Sequence, residues 1–261
     1  MSALGVERAA WRRDGELLYS PTLTSLGVVA GSTTRALGSM GGSRTPVEDA
    51  VRARDALARS LGFPGVVRVK QVHGSEVVRA DAPFAPPWPE ADAVWTARAG
   101  VLLGIVAADC VPVLLAEVGG TRVGAAHAGW EGTTRHVARR LVEVLRPEGV
   151  DPARMVAALG PSIGPCCYAV GDERAATIRE RLGAAGERAL VVRDGTTSFD
   201  LWRANAEQLR DEGVARIEVS RVCTKCGGEN TWSRRSGDIG LLNLAFIGIK
   251  AEGKPPAGRP R

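Results

Sequence analysis

The chain is poor in several things that would narrow its chemistry at once. It has only three histidines, five cysteines and 5% aromatic residues in 261 positions. An odd cysteine count, with Cys166 and Cys167 adjacent, excludes a secreted disulfide framework and leaves each thiol free, buried or a ligand. The longest apolar runs, residues 101–108 and 111–116, fall far short of the ~20 residues a bilayer span needs, so no membrane partner is expected. The first twenty residues have no apolar stretch before a small-residue cleavage site, which reads as a cytoplasmic chain without a signal peptide. No G-x-G-x-x-G or Walker motif and no internal repeat is present.

One charge imbalance exists, and its position removes most of its meaning. The net charge is +5, but residues 250–261 hold four basic residues and one acidic. The rest is nearly balanced, with both signs interspersed, so no nucleic-acid partner is expected. This end reads as a basic, Pro/Gly-rich flexible tail, and residues 1–249 as a single catalytic domain.

What is present centres on residues 101–130, VLLGIVAADCVPVLLAEVGGTRVGAAHAGW. Three apolar strands are predicted here, with Gly119-Gly120 as the hairpin turn between the last two. Asp109-Cys110 and His127 then sit at strand tips. Residues 66–72 alternate like a strand that delivers His73, with a return strand at residues 76–79 after it. Further strands are expected at residues 17–19, 93–96, 155–159, 189–192, 216–222 and 241–249, and residues 28–34 lead to Arg35 and a Gly/Ser-rich loop. Thr45, Pro46 and Glu48 look like N-cap, N1 and N3 of a helix with Ala50, Val51, Leu57 and Leu61 apolar and Gly62 as its stop. Other helices are expected from Gly132 to Gly149, across residues 172–182 and across 201–212.

His73, Cys110 and His127 lie 37 and 17 residues apart, so each must come from a different strand end. Three N/S donors on a rigid sheet leave a fourth position open, which is how catalytic zinc is held; closed sites of four ligands are structural. The alternative is three unrelated core or surface residues. Asp109 is either an acceptor that orients one imidazole or a strand-end cap. His136 reads as an ordinary helical histidine. Cys223-x-x-Cys226 has no second pair and reads as loop spacing, with a redox pair or half a metal site as alternatives. Arg234-Arg235, beside Trp232, reads as a phosphate clamp or a surface pair.

Several ordered motifs together resemble the YfiH family, also called laccase-domain proteins. They are KQVHG at residues 70–74, ADC at 108–110, HAGW at 127–130, GPSIGPCCY at 160–168, FDLWRAN at 199–205 and Cys223-Thr224. The resemblance implies an α+β fold, with mixed β-sheets in a central sandwich flanked by helices in α/β/β/α layers. It implies zinc on His73, Cys110 and His127, with copper as an alternative ion at the same trio. It also implies phosphorolysis of adenosine, inosine, guanosine and methylthioadenosine to free base and ribose 1-phosphate, with inorganic phosphate as co-substrate. Adenosine deamination is a further implied activity, and a monomer or weak homodimer the expected state.

By motif position the substrate- and phosphate-side candidates are Arg35, Arg54 and Arg235, with Gln71 and Asp109 near the metal. The chain departs from the family pattern in a short segment 36–45, in Ala53 where Asn is usual, and in the loss of a final arginine after Arg235. Rival readings are a Cys-His hydrolase with Cys110 as nucleophile, including a role in peptidoglycan editing, and a non-enzymatic binding module. A polyphenol oxidase is the third; three histidines cannot furnish a multicopper cluster, so it is limited to one copper.

Overall fold

The computed structural model describes residues 6–7, 11–227 and 230–251. Residues 252–261 of the expected tail lie outside them. In chain order, β1 (Val6–Glu7), β2 (Arg12–Asp14), β3 (Leu17–Tyr19) and the short helix α1 (Pro21–Thr24) lead to β4 (Val29–Thr33). Helix α2 (Val47–Leu61) precedes β5 (Val66–Val67), β6 (Val77–Arg79) and β7 (Ala93–Thr96). The apolar stretch forms β8 (Leu102–Ala107), β9 (Val111–Glu117) and β10 (Val123–Ala128). Then come α3 (Trp130–Thr134), α4 (Val137–Leu145), β11 (Met155–Leu159) and α5 (Asp172–Ala189). The remaining elements are β12 (Leu190–Arg193), β13 (Thr196–Phe199), α6 (Leu201–Asp211), β14 (Arg216–Val219) and β15 (Asn243–Gly248).

Two mixed sheets stack. One runs β1-β14-β11-β9-β10-β7-β6 and the other β2-β3-β4-β15-β8-β5, while β12 and β13 pair separately. Strand alternation assigns each side chain to a layer. In β9, Leu114 and Ala116 pack between the sheets with Leu103, Ile105, Ala245 and Ile247. Val111, Val113 and Leu115 point the other way, against Leu141 of α4 and Leu209 of α6. In β15 the alternate residues Leu244 and Phe246 pack under Leu57 and Ala58 of α2. The fold is α+β with four layers, helix, sheet, sheet and helix. Each fully buried Leu, Ile or Phe in these layers contributes about 2 kcal/mol. Among the described residues no helix is long and apolar enough to cross a membrane.

Several expected elements come out differently, for local reasons. Residues 66–72 are not one strand: Val66 and Val67 pair with β8, and the chain then leaves for the other sheet, where β6 runs parallel to β7. The return strand at 76–79 therefore pairs in a different sheet from the segment it was expected to fold back on. The helix from Gly132 is two helices, broken at His136, which has φ 62°. There the Gln208 side chain donates to the Thr133 carbonyl. Helix α2 starts one residue later than its capping signal suggests, with Pro46 at the N-cap and the Thr45 hydroxyl donating to Gly41 O. Its buried face holds Ala50, Arg54, Leu57 and Ala58, while Val51 is exposed. Helix α5 continues past Leu182 through a kink at Gly183.

Candidate metal centre and cavity

Strands β8 and β9 belong to different sheets, so residues 108–110 form the bend by which the chain crosses the sandwich. Asp109 takes φ 87° in this bend and leaves Cys110 at the start of β9. β10 pairs with β9 so that His127 stands beside Pro112, next to that start. His73 arrives from a turn rather than a strand tip, at φ 60°. The donor atoms of His73, Cys110 and His127 lie within 4.8 Å of one another. The two imidazoles meet edge to face, with centroids 4.8 Å apart.

A buried carboxylate absent from the expected set builds this geometry. Asp92, just before β7, accepts the Val72 N–H at 3.1 Å and the Gly74 N–H at 2.6 Å on Oδ2. Its Oδ1 accepts the His73 N–H at 3.0 Å and faces His127 Nδ1 at 2.9 Å. One side chain therefore fixes the left-handed His73 turn and the His127 ring together, and leaves Nε2 of His127 for Cys110 or an ion. Asp109, for which an imidazole acceptor and a backbone cap were both open, is turned away from the imidazoles. It accepts the Thr224 hydroxyl at 2.6 Å and the Arg235 N–H at 2.8 Å.

The electrostatics follow from these contacts. Burial alone would raise the Cys110 thiol, but the His127 and His73 imidazoles bring it down to about 6. Burial would lower His127, yet the Cys110 thiolate and the Asp92 carboxylate raise it to about 9. His73 is raised chiefly by its hydrogen bond to Cys110. The centre is thus thiolate-forming near neutral pH, as ligation demands. Gly129 completes the cradle: a Cβ there would stand 2.8 Å from Cys110 Sγ and 3.3 Å from His73 Cδ2. Two imidazoles and a thiolate suit a single borderline-soft ion such as Zn²⁺ or copper.

The trio opens into a cavity of about 1080 Å³. Of the other sequence candidates, Gln71, Asp109 and Arg235 line it, whereas Arg35 and Arg54 do not. Gln71 uses both amide atoms on the backbone of Val106, finishing the edge of β8. Arg35 lies over Trp232 at 4.4 Å, donates to Thr231 O at 3.0 Å and pairs with Asp238. Arg54 is buried under the loop 38–43 and donates to Met40 O at 2.6 Å. Arg235 sits over the Tyr168 ring at 5.3 Å and reaches Ala169 O at 3.3 Å.

Arg68 was not singled out by sequence and lines the cavity. Its buried Nε has no partner among the described residues. Burial, reinforced by Arg54, pulls the Arg68 guanidinium down to about 10, so it stays a cation at neutral pH. The signal that could have found it is its place two residues before the KQVHG motif, in the segment that runs from β5 into the site.

The profile of the family described as multi-copper polyphenol oxidoreductase laccase matches residues 35–250. The chain belongs to that family. Among its relatives, a purine nucleoside phosphorylase of Deinococcus radiodurans is 41% identical over 210 residues, covering 79% of this chain and 80% of its own. The purine nucleoside phosphorylase YlmD of Geobacillus stearothermophilus is 36% identical over 277 residues, covering 94% and 97%. The crystal structure of the Bacillus licheniformis hypothetical protein YfiH superposes with a TM-score of 0.81 at 28% identity, covering 92% of this chain and 99% of that one.

The laccase family's description implies several coppers, and the donors here do not fit a cluster of them. His136, the third histidine, caps α4 on another element and is not in the trio. The trio fits one ion.

Proposed function

We propose that this chain is a zinc-dependent purine nucleoside phosphorylase. It would convert adenosine, inosine, guanosine or methylthioadenosine, with inorganic phosphate, to free base and ribose 1-phosphate. The observation that carries the reading is one cavity holding both an open three-donor centre and a guanidinium whose buried N–H has no partner among the described residues. The nucleoside class comes from the names of the relatives.

In this reaction a phosphate oxygen forms a bond to the ribose anomeric carbon as the bond to the purine nitrogen breaks. The electron pair leaves with the base, which takes up a proton, and positive charge develops on the ribose. Arg68 and Arg235 are the phosphate-side groups, since planar guanidinium forks match phosphate oxygens. Arg54 and Arg35 act behind them: Arg54 holds the loop at Met40, and Arg35 holds the segment that carries Arg235. Tyr168 and Trp130 line the cavity, with Arg235 and Arg174 over their rings at 5.3 and 4.8 Å, and are the aromatic groups beside which a purine would sit. When bound on His73, Cys110 and His127, the ion supplies Lewis-acid and bound-water chemistry, on which adenosine deamination would also draw. Copper at the same trio is the alternative ion.

One observation favours a second reading. Cys110, His127 and Asp92 form a thiolate–imidazole–carboxylate series, with the thiol near 6 and the imidazole near 9, as in a cysteine hydrolase. An amide substrate such as a peptidoglycan precursor would suit it.

The test uses metal-assayed protein with each nucleoside, with and without phosphate, and chromatography of products. Phosphate-dependent ribose 1-phosphate that disappears on chelation is the expected result. No ribose 1-phosphate from any of the four nucleosides removes the phosphorylase. Amide hydrolysis that survives chelation but not thiol alkylation establishes the hydrolase instead.

A further inference from the structure

All the cysteines other than Cys110 meet at one place. Cys166 and Cys167, from the loop after β11, and Cys223 and Cys226, from the loop after β14, bring their sulfurs within 4.8 Å of one another. Cys166 Sγ and Cys226 Sγ are 3.5 Å apart. Four sulfurs around a tetrahedral ion with bonds of about 2.3 Å stand about 3.8 Å from one another, so sulfurs no more than 4.8 Å apart are within a small adjustment of a ligand shell. The 3.5 Å between Cys166 and Cys226 is far beyond the ~2.05 Å of a disulfide.

The backbone around one of the sulfurs, that of Cys223, is arranged for a thiolate. The Gly164 N–H donates to Cys223 Sγ at 3.3 Å, and the N–H groups of Lys225 and Cys226 also point to that sulfur. Residues 223–227 make a tight turn in which Gly227 N donates to Cys223 O at 2.8 Å. A Cβ on Gly227 would meet that carbonyl oxygen at 2.7 Å, so only glycine closes the turn after the second cysteine. The two loops are laced together beside the sulfurs, with Ser162 N donating to Val222 O at 3.2 Å and Thr224 N to Ser162 O at 3.0 Å. Cys-x-x-Cys from one loop and Cys-Cys from the other supply four ligands with no position left for substrate.

We infer that Cys166, Cys167, Cys223 and Cys226 form a second metal site, a closed tetrathiolate that takes a structural Zn²⁺. The four thiols release their protons as the ion binds, and the site gains no open coordination position. Its role follows from what the two loops carry. Thr224, inside the Cys-x-x-Cys turn, donates to Asp109 beside Cys110, and Asp109 holds the Arg235 N–H. Ile163 and Tyr168 flank the Cys166-Cys167 pair and line the cavity. The ion thus clamps the wall of the cavity and sets the bend that presents Cys110.

The test is metal analysis of the full chain purified under reductant. About two zinc ions per chain are expected. The double variant Cys223→Ser with Cys226→Ser should lose one and keep the other, while His127→Ala should show the converse, so this site stands or falls apart from the proposed activity. Cobalt substitution of the wild type gives a direct signature, because a tetrathiolate adds strong sulfur-to-metal charge-transfer absorption beyond that of a centre with one thiolate. If the double variant does not fold, alkylation of native wild-type protein decides: these four cysteines should resist labelling until a chelator is added, as mapped by mass spectrometry. One zinc per chain lost with His127, prompt labelling of all four thiols, disulfides among them in freshly reduced protein, or iron in place of zinc would each overturn the assignment.

Discussion

Asp92 Oδ1 lies 2.9 Å from His127 Nδ1 and 3.0 Å from the His73 backbone N–H, so one carboxylate oxygen aligns two donors of the metal centre. Asn at this position cannot replace it. Either orientation of the amide turns its NH₂ toward N–H groups, those of His73 and His127 on one side or those of Val72 and Gly74 on the other. Asp92→Asn is expected to weaken zinc about 10- to 100-fold, read by competition with a chelator. Unchanged affinity would remove Asp92 from its positioning role.

The three donors are expected to act as a set. Cys110→Ala and His127→Ala should each lose the zinc of this centre in metal analysis, because two remaining donors do not hold the ion against buffer. Full retention in either variant would dissolve the trio.

Gly129→Ala places a methyl group against Cys110 Sγ and His73 Cδ2. The overpacking costs about 1–3 kcal/mol and falls on the donors themselves. Weaker zinc binding and slower turnover are expected, with the thermal midpoint of the metal-free protein only modestly lowered. A variant with wild-type metal affinity would show that the donors can move aside.

Arg68→Ala should raise the KM for phosphate about 10- to 100-fold, the worth of one or two charged hydrogen bonds, and leave the nucleoside KM nearly unchanged. Steady-state kinetics with each substrate varied in turn make the distinction. An equal rise in both constants would point to general damage of the cavity instead.

Acid stability should depend on Glu207, a buried carboxylate that accepts from Arg188 at 2.8 Å and from Arg203 at 2.9 Å. Burial would raise its carboxyl, but the two guanidiniums hold it below the usual range. With the folded value depressed, its stabilisation is full above the unfolded value of about 4.3 and is lost as pH falls through the folded one. Urea unfolding followed from neutral pH down through about pH 4 should therefore show a steeper loss for wild type than for Glu207→Gln. Parallel curves would assign the acid sensitivity to other groups.

How far the sequence could be read differs from residue to residue. The apolar runs around residues 101–128 placed β8, β9 and β10, because alternation and length are local properties. Arg54 was named by its motif position alone; its inward place follows from lying four residues after Ala50 and three before Leu57 on one helical face. Asp92 carried no such mark. Its partners are backbone N–H groups some twenty residues upstream and an imidazole thirty-five downstream, and no spacing rule connects them. The cysteine pairs were each visible, but an adjacent pair does not fit the usual ligand spacing, and a separation of 56 residues and five elements between Cys167 and Cys223 hides their convergence.

By itself the sequence determined the α+β class, the strand tips that carry Cys110 and His127, and the family through its ordered motifs. Only the tertiary structure decided which groups act together. The crossing from β8 to β9 between two sheets turns Cys110 into the cavity, Asp92 bridges segments that the chain keeps apart, and two loops from parallel neighbours β11 and β14 bring four thiols to one point. Contacts of this kind depend on the register of strands in space, which residue order constrains but does not display.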